Sequence, residues 1–248
     1  MRRLLGVLLI VAAAAACRPP SASSAAAPPA EPRSGGFPAV DRPVAAIVSP
    51  EYASGGERDA ADESGQVVRL ARIGPGETVA DVGAGTGYHT LRLSRVVGSR
   101  GLVIAVDVVP EFLDRLRQTV RDRRIQNVEF VLGRPDDPRL PRNSIDAAVL
   151  AHMYHEVAQP YAFLWNLAPS IRQQGRVVVI DQDRPIVNHG TPPAVMQCEF
   201  EAVGYRRTGY QVLEGGVGYA MVFAPPERLP PPGQIRSCRS AGAATSTR

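Results

Sequence analysis

Four polar side chains within five residues, His152, Tyr154, His155 and Glu156 of AHMYHEVAQP, form the densest cluster of chemically useful groups in the chain. His152 and His155 are three apart, so a helical turn would set both imidazoles on one face, as a general base or as a pair of metal ligands. A metal needs a third ligand, and Asp181, Asp183 and His189 of IDQDRPIVNHG are the candidates. Spacing does not bring those segments together, and no metal site is assigned from the sequence. For taking a proton from a hydroxyl or amine, His155 is the first choice, with His152 and Asp181 as substitutes. Histidines satisfied by backbone partners are the alternative.

The other chemical feature is DVGAGTG, residues 81–87, which follows an apolar run and opens a helical pattern. Glycines there permit a tight turn and close backbone approach, leaving amide donors to face a ligand. A dinucleotide fingerprint needs glycine at the first, third and sixth positions, but the sixth counted from Gly83 is Tyr88, which disfavours NAD. Asp107 ends the next apolar run, LVIAVD, where one carboxylate can accept two hydroxyls. Without a ligand, Asp81 could cap the turn and Asp107 could cap a helix at Pro110.

The elements that must position these groups are legible as short apolar runs, TVADVG, LVIAVD, VEFVLG, IDAAVL and RVVVID, which read as buried strands. Helical spacing fills the intervals at 88–97, 110–124 and 161–171, and one further helix at 65–73 precedes the glycine loop. Trp165 lies in a helical stripe and reads as core. After the fifth run, YRRTGYQVLEGGVGYAMVFAP reads as two strands joined at Gly215 and Gly216. The pattern predicts a doubly wound, mostly parallel seven-stranded α/β sheet closed by a C-terminal antiparallel hairpin.

Asp81, Gly83, Gly85 and Gly87 match the D/E-x-G-x-G-x-G pattern, and from about Glu57 to Ala224 the chain resembles class I S-adenosylmethionine-dependent methyltransferases. The resemblance implies a Rossmann-like methyltransferase sheet, S-adenosyl-L-methionine as cofactor, and Asp107 bonded to the ribose hydroxyls. After the third strand many relatives place an acid beside the glycine to receive the adenine amino group; this chain has Arg134 there, followed by Pro135, Asp136 and Asp137. Asp136 or Asp137 is expected to take over that role, Asp136 as the first choice, with turn chemistry as the competing reading.

The ends point to a compartment. Arg2 and Arg3 precede an apolar run too short to span a bilayer comfortably, ending in alanines and Cys17, which resembles the lipobox of bacterial lipoproteins. The expected organisation is a signal peptide at 1–17, a Pro/Ala/Ser-rich tether at 18–43, the domain at 44–224 and a Pro-rich tail at 225–248, on the periplasmic side of the cell envelope. Cys198 and Cys238 are free to pair in an oxidising compartment or to remain thiols.

Hydrophobic content of 44% and charged content of 21% exclude a disordered or multi-span body. All 28 basic residues are arginine, and they are dispersed, so nucleic acid is not an expected partner despite a net charge of +4. The leading function is methyl transfer to a small-molecule or lipid-like acceptor, with membrane contact only through the N-terminal anchor. The alternative is an envelope-tethered binding or scaffold protein that keeps the fold without the reaction. Nothing in the sequence assigns an oligomeric state.

Overall fold

The computed structural model describes residues 36–47 and 55–238. Cys17 and the apolar opening lie outside the described residues. Among the described residues, no helix is long and apolar enough to cross a membrane.

Seven strands form one sheet: β1 Thr78–Val82, β2 Leu102–Asp107, β3 Val128–Leu132, β4 Ile145–Ala151, β5 Ile171–Asp181, β6 Arg206–Val212 and β7 Tyr219–Ala224. Their order is β3-β2-β1-β4-β5-β7-β6. The first five pair in parallel, while β7 runs antiparallel to β5 and β6 to β7. This is the expected mostly parallel, doubly wound sheet with its C-terminal hairpin.

Alternate residues of each central strand face opposite layers, because side chains along a strand alternate. Val79 of β1 and Val103 of β2 pack with Val67 and Ala71 of α2 (Glu63–Ala71) and with Leu93 and Val97 of α3 (Tyr88–Val97). Ala105 of β2 meets Leu116 and Val120 of α4 (Pro110–Asp122). On the other face, Ala80, Val82 and Val179 pack with Tyr161, Leu164 and Leu167 of α5 (Pro160–Leu167) and with Met196 and Phe200 of α6 (Pro193–Ala202). A six-residue helix, α1 (Gly55–Ala60), precedes α2, so among the described residues two helices stand before the glycine loop rather than one. Residues 168–170, read as the end of a helix, form a 3₁₀ turn, and β5 starts at Ile171, paired with Ile145 across an irregularity.

Both flanks of the body are seated on it. Within the stretch read as a tether, Phe37 packs edge-on against Trp165 at 5.8 Å, and buried Arg42 donates to Glu199 at 2.7 Å and 3.2 Å. Within the tail, Ile235 is buried, Trp165 Nε1 donates to the Pro230 carbonyl at 2.9 Å, and Cys238 forms a disulfide with Cys198. Packing therefore runs from Phe37 to Cys238, wider at both ends than 44–224.

Parallel strands deliver their carboxyl ends to one edge, and the order reverses direction between β1 and β4, where open α/β sheets hold ligands. The glycine loop, Asp107, residues 152–156 and Asp181 all stand on that edge.

Candidate active site

A cleft of about 940 Å³ opens along this edge, lined by Gly83, Gly85, Asp107, His152, His155 and Glu156 among others. That volume accommodates a nucleoside-sized cofactor with a small acceptor beside it.

The loop after β1 turns with positive φ at Gly83, Gly85 and Gly87. At Gly83 (φ 75°) a Cβ would come within 2.7 Å of the Met153 side chain; at Gly87 (φ 88°) it would fall onto Leu116. These glycines thus serve close packing as well as turning. Their amides are not turned out to a ligand as the sequence suggested. Gly83 and Ala84 donate to the Val106 carbonyl, Gly87 to that of Ala84, and Gly85 to Asp107 Oδ2 at 2.8 Å. The donors bind the loop to the end of β2.

Asp107 is therefore held by backbone on both sides, since Oδ1 accepts from Val109 N at 2.9 Å. It does not cap α4, whose N-cap is Val109. Burial raises its pKa, against the amides of Val109, Gly85 and Val108. Each carboxylate oxygen keeps a lone pair for a hydroxyl, so a ribose diol fits this acid. Asp81 is 2% exposed and off the cleft wall; Thr90 Oγ1 donates to its Oδ2, which ties β1 to α3. Burial raises its pKa as well.

Asp136 is also off the cleft wall, which in this region is formed by Gly133, Arg134, Pro135 and Pro138. Residues 134–137 close a tight turn, with Arg134 N donating to the Asp137 carbonyl at 2.7 Å, and Asp137 Oδ1 accepting from Arg139 N. Turn chemistry accounts for this segment, and no hydrogen bond points the Asp136 carboxylate at the cleft.

The histidine pair is not the shared helical face that its spacing suggested. His152 has left-handed backbone (φ 53°) at the end of β4, and only Tyr154–Glu156 winds, as one 3₁₀ turn. His152 Nε2 accordingly meets Glu63 Oε2 at 3.1 Å, whereas His155 Nδ1 lies 3.1 Å from both carboxylate oxygens of Asp181. Tyr154 turns into the core against Phe200. Asp181 is fully buried, accepts from Thr191 Oγ1 at 2.7 Å and Gln182 N at 2.8 Å, and does not line the cleft. It holds His155 by Nδ1 and leaves Nε2 as that ring's reactive nitrogen, an arrangement that fixes the tautomer.

Sequence reasoning missed Glu63 altogether. This fully buried carboxylate accepts from Arg58 at 2.6 Å and contacts His89 Nε2 and His152 Nε2, each at 3.1 Å. Burial alone would raise its pKa, but the bonds from His152, His89 and Arg58 hold it far below the usual carboxylate range. Arg58 and Arg92 sandwich the Tyr88 ring at 3.7 Å and 3.8 Å, and burial pushes its phenol up to about 12. Only the three-dimensional return of α1 and α2 to β4 assembles this group, so no local signal announced it.

Residues 79–175 match the sequence family described as a methyltransferase domain. A ubiquinone/menaquinone biosynthesis C-methyltransferase, UbiE, of Vibrio cholerae is 29% identical over 114 residues, 46% of this chain and 44% of that protein. An arsenite methyltransferase of Halobacterium salinarum is 30% identical over 112 residues, 45% of this chain and 29% of that protein. The match thus spans less than half the length of these curated relatives. Among solved structures, a SAM-dependent methyltransferase from Aquifex aeolicus superposes with a TM-score of 0.59 at 22% identity, covering 69% of this chain and 97% of that one. At that identity the likeness establishes the fold, a Rossmann-like methyltransferase sheet.

Proposed function

We propose that this chain, whose residues 79–175 form an S-adenosyl-L-methionine-dependent methyltransferase domain, moves a methyl group from that cofactor to a small-molecule acceptor. The observation that carries the reading is one cleft holding both the Asp107 cradle and the Asp181-backed His155. When bound, the cofactor supplies an electrophilic methyl group on a sulfonium that leaves without acid assistance. What remains for the protein is alignment. Asp107 accepts the ribose hydroxyls, the glycines admit the cofactor close to the sheet edge, and His155 offers Nε2 to the acceptor.

The names of the relatives, a ubiquinone/menaquinone biosynthesis C-methyltransferase and an arsenite methyltransferase, support an acceptor of small-molecule size. The basic-then-apolar opening with Cys17 supports an envelope location with a lipid-type anchor. Arg134 at the place where relatives carry an acid favours the second reading, a scaffold that keeps the fold.

Incubating the purified chain with S-adenosylmethionine and a panel of quinols, small thiols, hydroxylated aromatics and arsenite tests the reading. Acceptor-dependent release of S-adenosylhomocysteine is expected, falling about 100-fold or more in His155→Ala. A chain that binds the cofactor yet releases none with any acceptor would favour the scaffold.

A further inference from the structure

Beside His155, two further side chains able to ligate a metal stand in the cleft. His155, Glu156 and His189 each bring one potential ligand atom within 4.8 Å of the others, and all three line the cleft. The His155 and His189 rings stand edge-to-face, 5.4 Å apart at 88°.

The backbone that delivers them is firmly held. The His155 carbonyl accepts from Ala45 N at 3.0 Å, which pins the 3₁₀ turn after β4 under the N-terminal segment. His189 follows a 3₁₀ turn at Ile186–Asn188 in left-handed backbone (φ 57°), a conformation that costs a non-glycine residue about 1 kcal/mol or more. Its amide donates to the Ile186 carbonyl at 3.0 Å, and its own carbonyl accepts from Arg184 Nε and Nη2 at 3.1 Å and 3.0 Å.

We propose that His155, Glu156 and His189 hold a divalent transition-metal cation of the zinc type, with a coordination position open to the cleft. Two imidazoles and one carboxylate are the ligand set of open, reactive zinc sites, whereas magnesium and calcium demand oxygen. Asp181 supplies the outer partner that such sites require. It grips His155 at Nδ1 while its own remaining bonds go to Thr191 and Gln182, so Nε2 is oriented as a ligand by a carboxylate that is not one itself. Metal bonds of about 2.1 Å place tetrahedral ligand atoms about 3.4 Å apart, so binding draws the three together by at most about 1.4 Å. A base needs only the Asp181–His155 pair, whereas a cation uses all three side chains that meet at this point of the cleft.

Cation binding stands apart from the methyl-transfer reading; its consequence for the acceptor rests on that reading and revises it, because an Nε2 bound to the cation no longer meets the acceptor itself and the open metal position does. An open metal position beside the cofactor cradle suits an acceptor with an ionisable oxygen or sulfur, whose proton passes to solvent as the anion binds the cation.

Titrating the chelator-stripped full chain with Co²⁺, followed by ligand-field absorption and by displacement with Zn²⁺, tests the site. Saturation at one cation per chain is expected. His189→Ala and Glu156→Gln should each weaken binding about tenfold or more, and Asp181→Asn about 10- to 100-fold through His155. Circular dichroism of each variant checks the fold, and Glu156→Gln, which keeps shape and hydrogen bonding, carries the test if His189→Ala unfolds. Calorimetric S-adenosylmethionine binding by the wild type, measured with and without Co²⁺, is read alongside and separates a failure of the metal site from a failure of the cofactor reading. No stoichiometric Co²⁺ uptake by the wild type, or wild-type affinity in both ligand variants, would overturn the proposal.

Discussion

Asp107 and Glu63 are both buried acids on the ligand edge of the sheet, and their partners assign them opposite duties. Asp107 is held by amides alone and keeps acceptor capacity, so replacing it should cost binding. Asp107→Ala is expected to weaken S-adenosylmethionine binding by about 1–3 kcal/mol, read by calorimetry; unchanged affinity would remove it from the cofactor site. Glu63 spends its oxygens on Arg58, His89 and His152, which makes it a stabilising hub. Glu63→Gln strands these partners and should lower stability at pH 7 by about 3–5 kcal/mol in urea denaturation. The folded-state pKa is depressed, so the carboxylate's contribution is complete above its unfolded value of about 4.3 and is lost as pH falls below it. The gap between wild type and variant should therefore narrow in acid, and a gap constant from pH 7 to pH 3 would contradict the ion-pair assignment. Asp107 was legible because it ends an apolar run at a fixed distance from the glycines. Glu63 was not, because its partners lie 5, 26 and 89 residues away and meet only in the folded chain.

The loop from β1 to α3 is the element most closely fitted to its surroundings. Gly87 combines positive φ with a Cβ position already filled by Leu116 of α4. Gly87→Ala should cost about 2–5 kcal/mol, from left-handed strain plus overpacking, and appear as a lowered melting temperature. A wild-type melting temperature would mean that α4 yields. Strand runs and the helices of the parallel half were readable because buried strands and amphipathic helices differ in apolar period. Besides α1, two elements escaped that logic. Helix α6 opens at the second proline of TPP and has only Met196 and Phe200 as large buried apolar residues, with buried Glu199 between them taken up by Arg42. The turn at 154–156 looked helical by spacing, but left-handed His152 breaks the periodicity and sends its ring to α2 instead of alongside His155.

Across the whole molecule, the two ends of the described body are fastened to the face carrying α5 and α6. Phe37 and Pro230 share Trp165, Arg42 pairs with Glu199, and Cys238 is bonded to Cys198 on α6. Composition marked both flanks as Pro-rich and loose; single residues within them, Phe37, Arg42, Ile235 and Cys238, are what anchor them. The disulfide closes a loop of 40 residues. Cys198→Ser is expected to destabilise the chain by about 2–4 kcal/mol in urea denaturation without a reductant, and reductant should not weaken that variant further. Equal stability of the variant and the oxidised wild type would show that the tail is held by its packing alone. The two flanks, the cleft and the sheet edge together constitute a body with a methyltransferase fold, and the proposed cofactor cradle within it is Asp107 and the glycine loop. The most direct test is calorimetric titration of S-adenosylmethionine and S-adenosylhomocysteine into the purified chain. Saturable binding of both at one site, abolished or weakened by Asp107→Ala, is the expected result; a folded chain that takes up neither would contradict the cofactor site and leave a methyltransferase fold put to another use.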